Sequence, residues 1–325
     1  MGGDHAPEEI VAGALMAAEQ VDASISLVGD PDAIAACIGG STPEGIEVVA
    51  AHDILAMGES PRAALRGRDD TSLARAVDLV ACGDAQAVVS AGNSGAFMAL
   101  SAMRMGMIAG VKRPAIALSL PSESGHRVLL DAGANADCRP EHLVDFGLMG
   151  AVYAEYTLGI KNPRVGLLSI GEEKGKGNEL TKAAHELLEG ADVNFCGNVE
   201  GGDVFGDTCD VIVCDGFVGN VVLKVTEGAA SVLFRQIREA VSRSEELRPV
   251  APALTEALRE VAGQFDASEH GGALLLGVNG VSIVGHGCSD AKAIRNAIRF
   301  AHRAVGGGLI EHLREVFAAR AGETD

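Results

Sequence analysis

Three glycines and two lysines fall together in the run Gly171-Glu172-Glu173-Lys174-Gly175-Lys176-Gly177-Asn178. Glycines let a ligand approach the backbone, free N–H groups at a helix start attract anions, and a lysine adds a point charge. The chemistry on offer is anion binding, most simply of phosphate. GxxxxGK[ST] is absent, so this is not a Walker loop. A solvated loop with a glycine hinge is the plainer reading of the same residues. Similar turns recur along the chain. In Ala91-Gly92-Asn93-Ser94-Gly95-Ala96, small residues leave room for a ligand, and Asn93 and Ser94 offer side-chain hydrogen bonds. Ordinary helix capping would use the same pair. Asp215-Gly216-Phe217-Val218-Gly219-Asn220 is a third such turn, and the helix it opens holds Lys224. Asp131 to Asp137 places two Asp and Asn135 on another turn. No His or Glu stands nearby at ligand spacing, so no metal is expected there. Asp4 and His5 sit in the opening turn, placed either to orient or protonate a ligand or to cap a helix. His286 follows the last apolar run.

These residues need strands and helices to hold them. Val165 to Ile170 is a continuous apolar run, the mark of a buried strand. Asn178 then caps a helix on Leu180, Ala183, Ala184, Leu187 and Leu188. Further strands are expected at Ile25–Val28, Ala87–Ser90, Val211–Cys214 and Val281–Val284, with Ile46–Val49 a third element of the same sheet. Ala115–Leu120 and Val128–Asp131 read as a hairpin. Helices are expected after Pro7, over Ser72–Cys82, after Pro140 and, as a short apolar helix, over Gly271–Gly277. Residues 231–265 read as two helices broken near Pro249 and Pro252, protruding as a pair from a single α/β domain over 1–325. In open α/β sheets ligands bind beyond the carboxyl ends of strands, so several glycine turns imply a shared rim and a cleft.

Composition narrows the class. Hydrophobic residues make up 47% and aromatic residues 3%, so the core must be Ala, Val, Leu and Ile. A net charge of −19 argues against nonspecific nucleic-acid binding. No uninterrupted apolar stretch is long enough for a membrane span, and the polar opening MGGDHAPEE shows no signal peptide. Seven scattered cysteines without a CxxC pair fit a reducing compartment. Two local features stand out against the acidic background. Ser60–Arg68 is basic, and Lys292, Arg295, Arg299 and Arg303 recur in steps of three and four on one helix face. That stripe is either a solvated face or a dock for an acidic partner. Leu247 to Leu254 (LRPVAPAL), with Val250 at its middle, is unusually apolar for a connection. It reads as a hairpin tip packed on its partner or as a contact with a membrane surface or another chain.

Eight collinear motifs then resemble bacterial phosphate acyltransferases. They are MGGDHAP at the start, SAGNSGA at 90–96, LLDAGANAD at 129–137, PRVGLLSIGEEKGKGNEL at 163–180, NFCGNVEG at 194–201, CDGFVGNVVLK at 214–224, EHGGALLLGVNG at 269–280 and HGCSDAKA at 286–293. The resemblance implies an isocitrate/isopropylmalate dehydrogenase-like α/β fold with a mostly parallel sheet flanked by helices and a protruding helix hairpin. It implies the transfer of a fatty acyl group from acyl-ACP to inorganic phosphate, without a cofactor. The acyl phosphate then feeds a membrane glycerol-3-phosphate acyltransferase. It also implies a cytoplasmic homodimer with peripheral membrane contact, here through Leu247, Val250 and Leu254, and an acyl carrier protein dock at Lys292, Arg295, Arg299 and Arg303.

On that basis Gly92, Asn93, Ser94 and Gly95 are expected to hold phosphate. Lys174, Lys176 and Asn178 would neutralise phosphate or the oxyanion, and His5 and His286 would trade protons. Asp4, Asp131, Asn135, Asp215, Asn220 and Lys224 would line the substrate site. Cys214 or Cys288 forming an acyl-enzyme is the alternative chemistry. An acyl-CoA-dependent transferase, a dehydrogenase on the same fold and a non-catalytic ACP-binding scaffold are the rival functions. The chain departs from the family in three places. It opens inside the first motif; a start placed too late would explain this, and a chain this short would lack the first strand of the sheet and a carboxylate of the site. Ser94 stands where Thr is usual, and Ser169 where Asn is usual.

Overall fold

The computed structural model describes residues 1–123, 125–244, 247–264 and 271–322. Strands and helices alternate through most of the chain. The order is α1 (Glu8–Ala18), β1 (Ile25–Gly29), α2 (Pro31–Ile38), β2 (Ile46–Ala50), α3 (Pro61–Ala64), α4 (Ser72–Cys82), β3 (Ala87–Ser90) and α5 (Ser94–Arg104). Then come the hairpin β4 (Ala115–Ser122) and β5 (Gly125–Leu130), α6 (Pro140–Leu158), β6 (Arg164–Leu168), α7 (Glu179–Glu189), β7 (Asn194–Val199) and β8 (Val211–Val213). The chain continues through α8 (Gly216–Arg243), α9 (Ala251–Gln264), β9 (Ala273–Leu276), β10 (Val281–Val284), α10 (Ala291–Gly306) and α11 (Leu309–Gly322).

The helices start where their caps say they should. Side-chain oxygens of Asn93, Asn178, Asp215 and Asp290 accept from the backbone N–H three residues on, at 2.8–3.0 Å. Each satisfies a donor that the first helical turn leaves open.

Among the described residues eight strands form one sheet in the order β3-β10-β9-β4-β5-β8-β6-β7. The pairings β3–β10, β5–β8, β8–β6 and β6–β7 are parallel, and β10–β9, β9–β4 and β4–β5 are antiparallel. The largest core cluster joins α6, α10 and α11 to the sheet, and smaller ones lie under α4 with α5 and under α8.

Three expectations change. Ile25–Gly29 and Ile46–Ala50 pair with each other in a separate two-stranded sheet, so Ile46–Val49 does not extend the main one. The apolar run after Gly271 is the strand β9 rather than a helix. Leu274, Leu275 and Leu276 are all but inaccessible between β10 and β4. A short apolar run reads equally as a buried strand or a buried helix turn, and only its neighbours decide. The first helix of the pair expected over 231–265 is the rear of α8, which begins at Gly216 and is 28 residues long. Phe265 lies outside the described residues. Among the described helices α8 alone is long and apolar enough to cross a membrane. It also bears Lys224 and Glu227, and its first turn is anchored on Asp131.

Candidate active site

The strand directions sort the glycine turns into two groups. β3 and β10 run one way, while β5, β8 and β6 run the other, because three antiparallel pairings intervene. The turns after β3 and β10 therefore lie at one edge of the sheet, and those after β5, β8 and β6 at the opposite edge. The single shared rim read from the sequence does not form. Periodicity reveals a strand but not its direction, so the turns looked equivalent.

At the first edge three segments meet. The backbone N–H of Asp4 donates to Gly287 O at 2.8 Å. Gly3 sits so close to Ala91 that a Cβ would fall 2.9 Å from its carbonyl oxygen. Asp4 and His5 are exposed there, as is His286. Ser94 opens α5, and the Gly92 N–H donates to Ser90 Oγ at 3.2 Å. Asn93 has another task than the expected one. Its Oδ1 caps α5, and its Nδ2 donates to the carbonyls of Ala56, Met57 and Glu59 at 2.7–3.2 Å. Every polar group of this 7%-exposed side chain is engaged, so it shapes the turn and holds loop 56–60. The loop continues into α3, where Pro61 packs on Gly95. The start of the basic run 60–68 is thereby brought to the N-terminus of α5, and with it Arg62, whereas Arg68 at its end is paired with Asp53 and Glu59. Sequence reasoning noted that run and gave it no role. Its charge against an acidic background was the available signal.

At the opposite edge the expected ligand residues are mostly structural. Asp131 is fully buried, and its carboxylate accepts from the N–H groups of Ile116, Gly133, Ala134 and Asn135 at 2.7–3.1 Å. The Asn135 side chain donates to Pro114 O and back to Asp131. Asp215 caps α8. The loop after β6 folds back on its own helix: Lys174 pairs with Glu189, Asn178 caps α7, and Asn198 Nδ2 donates to Glu173 O at 3.0 Å. Lys176 lies against Gly171 and is exposed. Ser169 Oγ is buried without a hydrogen-bond partner among the described residues. Lys174, Lys176 and Asn178 thus follow a strand that runs opposite to the one before the Gly92–Gly95 turn.

One helix links the two edges. Asn220, Lys224 and Glu227 follow at i, i+4 and i+7, on one face of α8. Asn220 stands against Gly133 at one end, where a Cβ would lie 3.5 Å away. Glu227 reaches the other end, 4.0 Å from His286 Nε2 and 2.8 Å from Lys224 Nζ. Seven residues of helix span about 10 Å. The face therefore forms a polar wall from the Asp131 turn to the Asp4–His286 corner. Glu227 is the acidic member that sequence reasoning did not select.

A family model described as a fatty acid synthesis protein matches residues 1–312. The phosphate acyltransferase of Pelotomaculum thermopropionicum is 51% identical over 316 residues, covering 97% of this chain and 92% of that protein. That of Thermosynechococcus vestitus is 48% identical over 321 residues, covering 98% and 93%. The chain belongs to the bacterial phosphate acyltransferase family. The acyltransferase also resembles, in fold, a phosphotransacetylase from Streptococcus pyogenes, with a TM-score of 0.63 at 16% identity over 93% of this chain and 92% of that one. The EutD phosphotransacetylase of Staphylococcus aureus gives 0.60 at 14% identity over 91% and 92%.

In the acyltransferase the geometry disfavours Cys214 as an acyl carrier. Cys214 is buried, its Sγ faces Asp131 O at 3.7 Å, and burial pushes its thiol well above the ordinary range. Cys288 is exposed beside His286. Of the residues expected outside the site, Leu247 and Val250 are exposed and Leu254 is half-buried. On α10 the core takes Ala293, Ile294, Ala297, Phe300, Ala301 and Ala304, which leaves Lys292, Arg295, Arg299 and Arg303 on the opposite face. Arg303 also lies over the Phe300 ring, 5.9 Å from its centroid.

Proposed function

We propose that the acyltransferase moves a fatty acyl group from acyl-ACP to inorganic phosphate, giving acyl phosphate and free ACP. The observation that carries this reading is the roughly half-identical match to phosphate acyltransferases over nearly the whole chain. The geometry supplies a fitting corner. Phosphate sits at the Gly92–Gly95 turn, against the N-terminus of α5, with Ser94 as a donor and Arg62 as the source of positive charge. A phosphate oxygen attacks the thioester carbonyl, and the C–S bond breaks as the acyl–O bond forms. The leaving thiolate takes a proton, for which His5 and His286 are the candidates at this corner. Lys224, held by Glu227, stabilises charge on the carbonyl oxygen during attack. No protein nucleophile is needed, because orientation of the two reactants and electrostatics supply the rate.

The basic face of α10 docks the acidic carrier protein in this reading. The tip bearing Leu247, Val250 and Leu254 touches the membrane where the product is consumed, and the enzyme works as a homodimer. Phosphate-dependent release of free ACP from long-chain acyl-ACP tests the reaction, with acyl-CoA as the competing donor. Thioester loss that is indifferent to phosphate would refute it, and a preference for acyl-CoA would replace the donor. Replacing Arg299 and Arg303 by Glu is expected to raise KM for acyl-ACP at least tenfold with kcat nearly unchanged. An unaltered KM would move the dock elsewhere.

A further inference from the structure

Two cysteines outside the candidate site lie within hydrogen-bond reach of each other across β6. Cys196 belongs to β7 and is exposed, whereas Cys209 lies just before β8 and is 1% exposed. β7 and β8 flank β6 in the sheet. The register of β6 with β7 shifts between Val165 and Gly166, where Cys196 is the extra residue of a bulge. A bulge re-aims the side chain it carries. Cys196 Sγ donates to Val165 O at 3.3 Å. Gly166, the next residue of β6, has no side chain, and a Cβ there would lie 2.9 Å from Cys209 Sγ. The glycine therefore makes the space that Cys209 Sγ occupies. From there Cys209 donates a hydrogen bond to Cys196.

The arrangement divides two roles. An exposed thiol is open to a small oxidant, and a buried one is not. The bond from Cys209 is the main cause of a Cys196 pKa lowered to about 7; burial opposes it, and the Arg164 charge adds to it. The same bond, burial and the Cys196 charge push the Cys209 thiol up, so Cys209 keeps its proton while its neighbour is a thiolate. Reaction at Cys196 removes that charge and frees Cys209 to follow. Arg164 and Asp210, paired at 3.1 Å, and Arg127 are the charged groups that face the two thiols. Cys138 and Cys214 differ: each donates to a backbone carbonyl, and burial raises both.

We propose that Cys196 and Cys209 are a redox-active pair that a small-molecule disulfide oxidises to an internal disulfide, with Cys196 attacking and Cys209 resolving. The Cys196 thiolate attacks one sulfur of the oxidant, whose S–S bond breaks, and the departing thiolate takes a proton. Cys209 Sγ gives up its proton, attacks Cys196 Sγ and expels the second small thiol. Two protein thiols are oxidised, and one disulfide is reduced to two thiols. The product ties the edge strand β7 to the start of β8 over Gly166. The test incubates the full chain with oxidised glutathione and maps its cysteines by mass spectrometry. The expected product has lost two hydrogens, joins the peptides of Cys196 and Cys209, and reverts with dithiothreitol. Its melting temperature should rise by about 5 °C, because the cross-link closes a loop in the unfolded chain. Cys209→Ala should instead retain one glutathione on Cys196. That variant should also react about fivefold more slowly at pH 7, since a thiol returned to its ordinary pKa has about fiftyfold less thiolate of about tenfold higher nucleophilicity. Cys196→Ser should leave Cys209 unmodified. A wild-type chain that keeps glutathione on Cys196 overturns the proposal, as does a disulfide from either residue to another cysteine, or no reaction at either. The wild-type map decides this whether or not Cys209→Ala folds.

Discussion

Replacing Asn93 by Ala separates a turn that binds from a turn that is merely held. The side chain is 7% exposed and makes four hydrogen bonds. Its Oδ1 caps α5 at Ala96, and loss of such a cap costs about 1 kcal/mol. Its amide nitrogen has two hydrogens, so of the three carbonyls it faces, Glu59 O at 2.7 Å and Met57 O at 3.0 Å take the best bonds. Each contributes about 1 kcal/mol, giving a total loss of about 3 kcal/mol. Urea unfolding with an unchanged slope should show that loss as a lower midpoint. Released loop 56–60 should also raise KM for phosphate, since it leads into Pro61 and the basic run beside the α5 N-terminus. Asn93→Asp is the control. It keeps the capping oxygen and turns an anion toward three carbonyls, so it should lose at least as much stability as Ala. A loss below about 1 kcal/mol in Asn93→Ala, or a wild-type Asn93→Asp, would refute the clamp and return Asn93 to the role of a ligand.

Gly219→Ala should displace the start of α8, because its Cβ would lie 1.9 Å from Asp131 O. A loss of about 3 kcal/mol is expected, and normal stability would show that α8 is not seated there. Asp210→Asn tests the ion cluster at the base of β6. The Asp210 carboxylate accepts from Arg164 N at 2.8 Å and from its guanidinium at 3.1 Å, and lies 3.5 Å from Arg127. Burial raises its pKa, but the Arg164 bonds and charge outweigh this and hold it below the usual carboxylate range. Its contribution is therefore full above the unfolded carboxylate pKa and is lost as pH falls through the lower folded one. The wild type should lose stability in acid more steeply than the variant, and parallel pH profiles would refute the pairing. Cys196 should be the thiol that a disulfide reagent titrates first. A hydrogen bond with Cys209 is the main cause of a pKa lowered to about 7, so the reaction rate should rise through neutral pH. Persistence of that fast phase in Cys196→Ser would assign it to another thiol.

Much of the site's local structure was legible in the sequence. Asn93, Asn178 and Asp215 were each recognisable at a strand end, because a cap and its turn depend on a few adjacent residues. The hairpin β4–β5 was legible for the same reason. What those polar residues face was not. Asn93 is committed to carbonyls at positions 56–59, and Asp131 to the backbone of Ile116, partners that no spacing rule reveals.

The sequence by itself determined the family, the alternating α/β class and the starts of the helices, all of which follow from motif order, apolar runs and local capping. Tertiary structure decided strand direction and pairing. It divided the glycine turns between two sheet edges, made a strand of Ala273–Leu276, set β1 and β2 apart, and brought Glu227 to His286. The physical reason is that a short apolar run has the same pattern whichever way it points and whatever it pairs with. Direction is set by hydrogen bonding to strands far away in the chain.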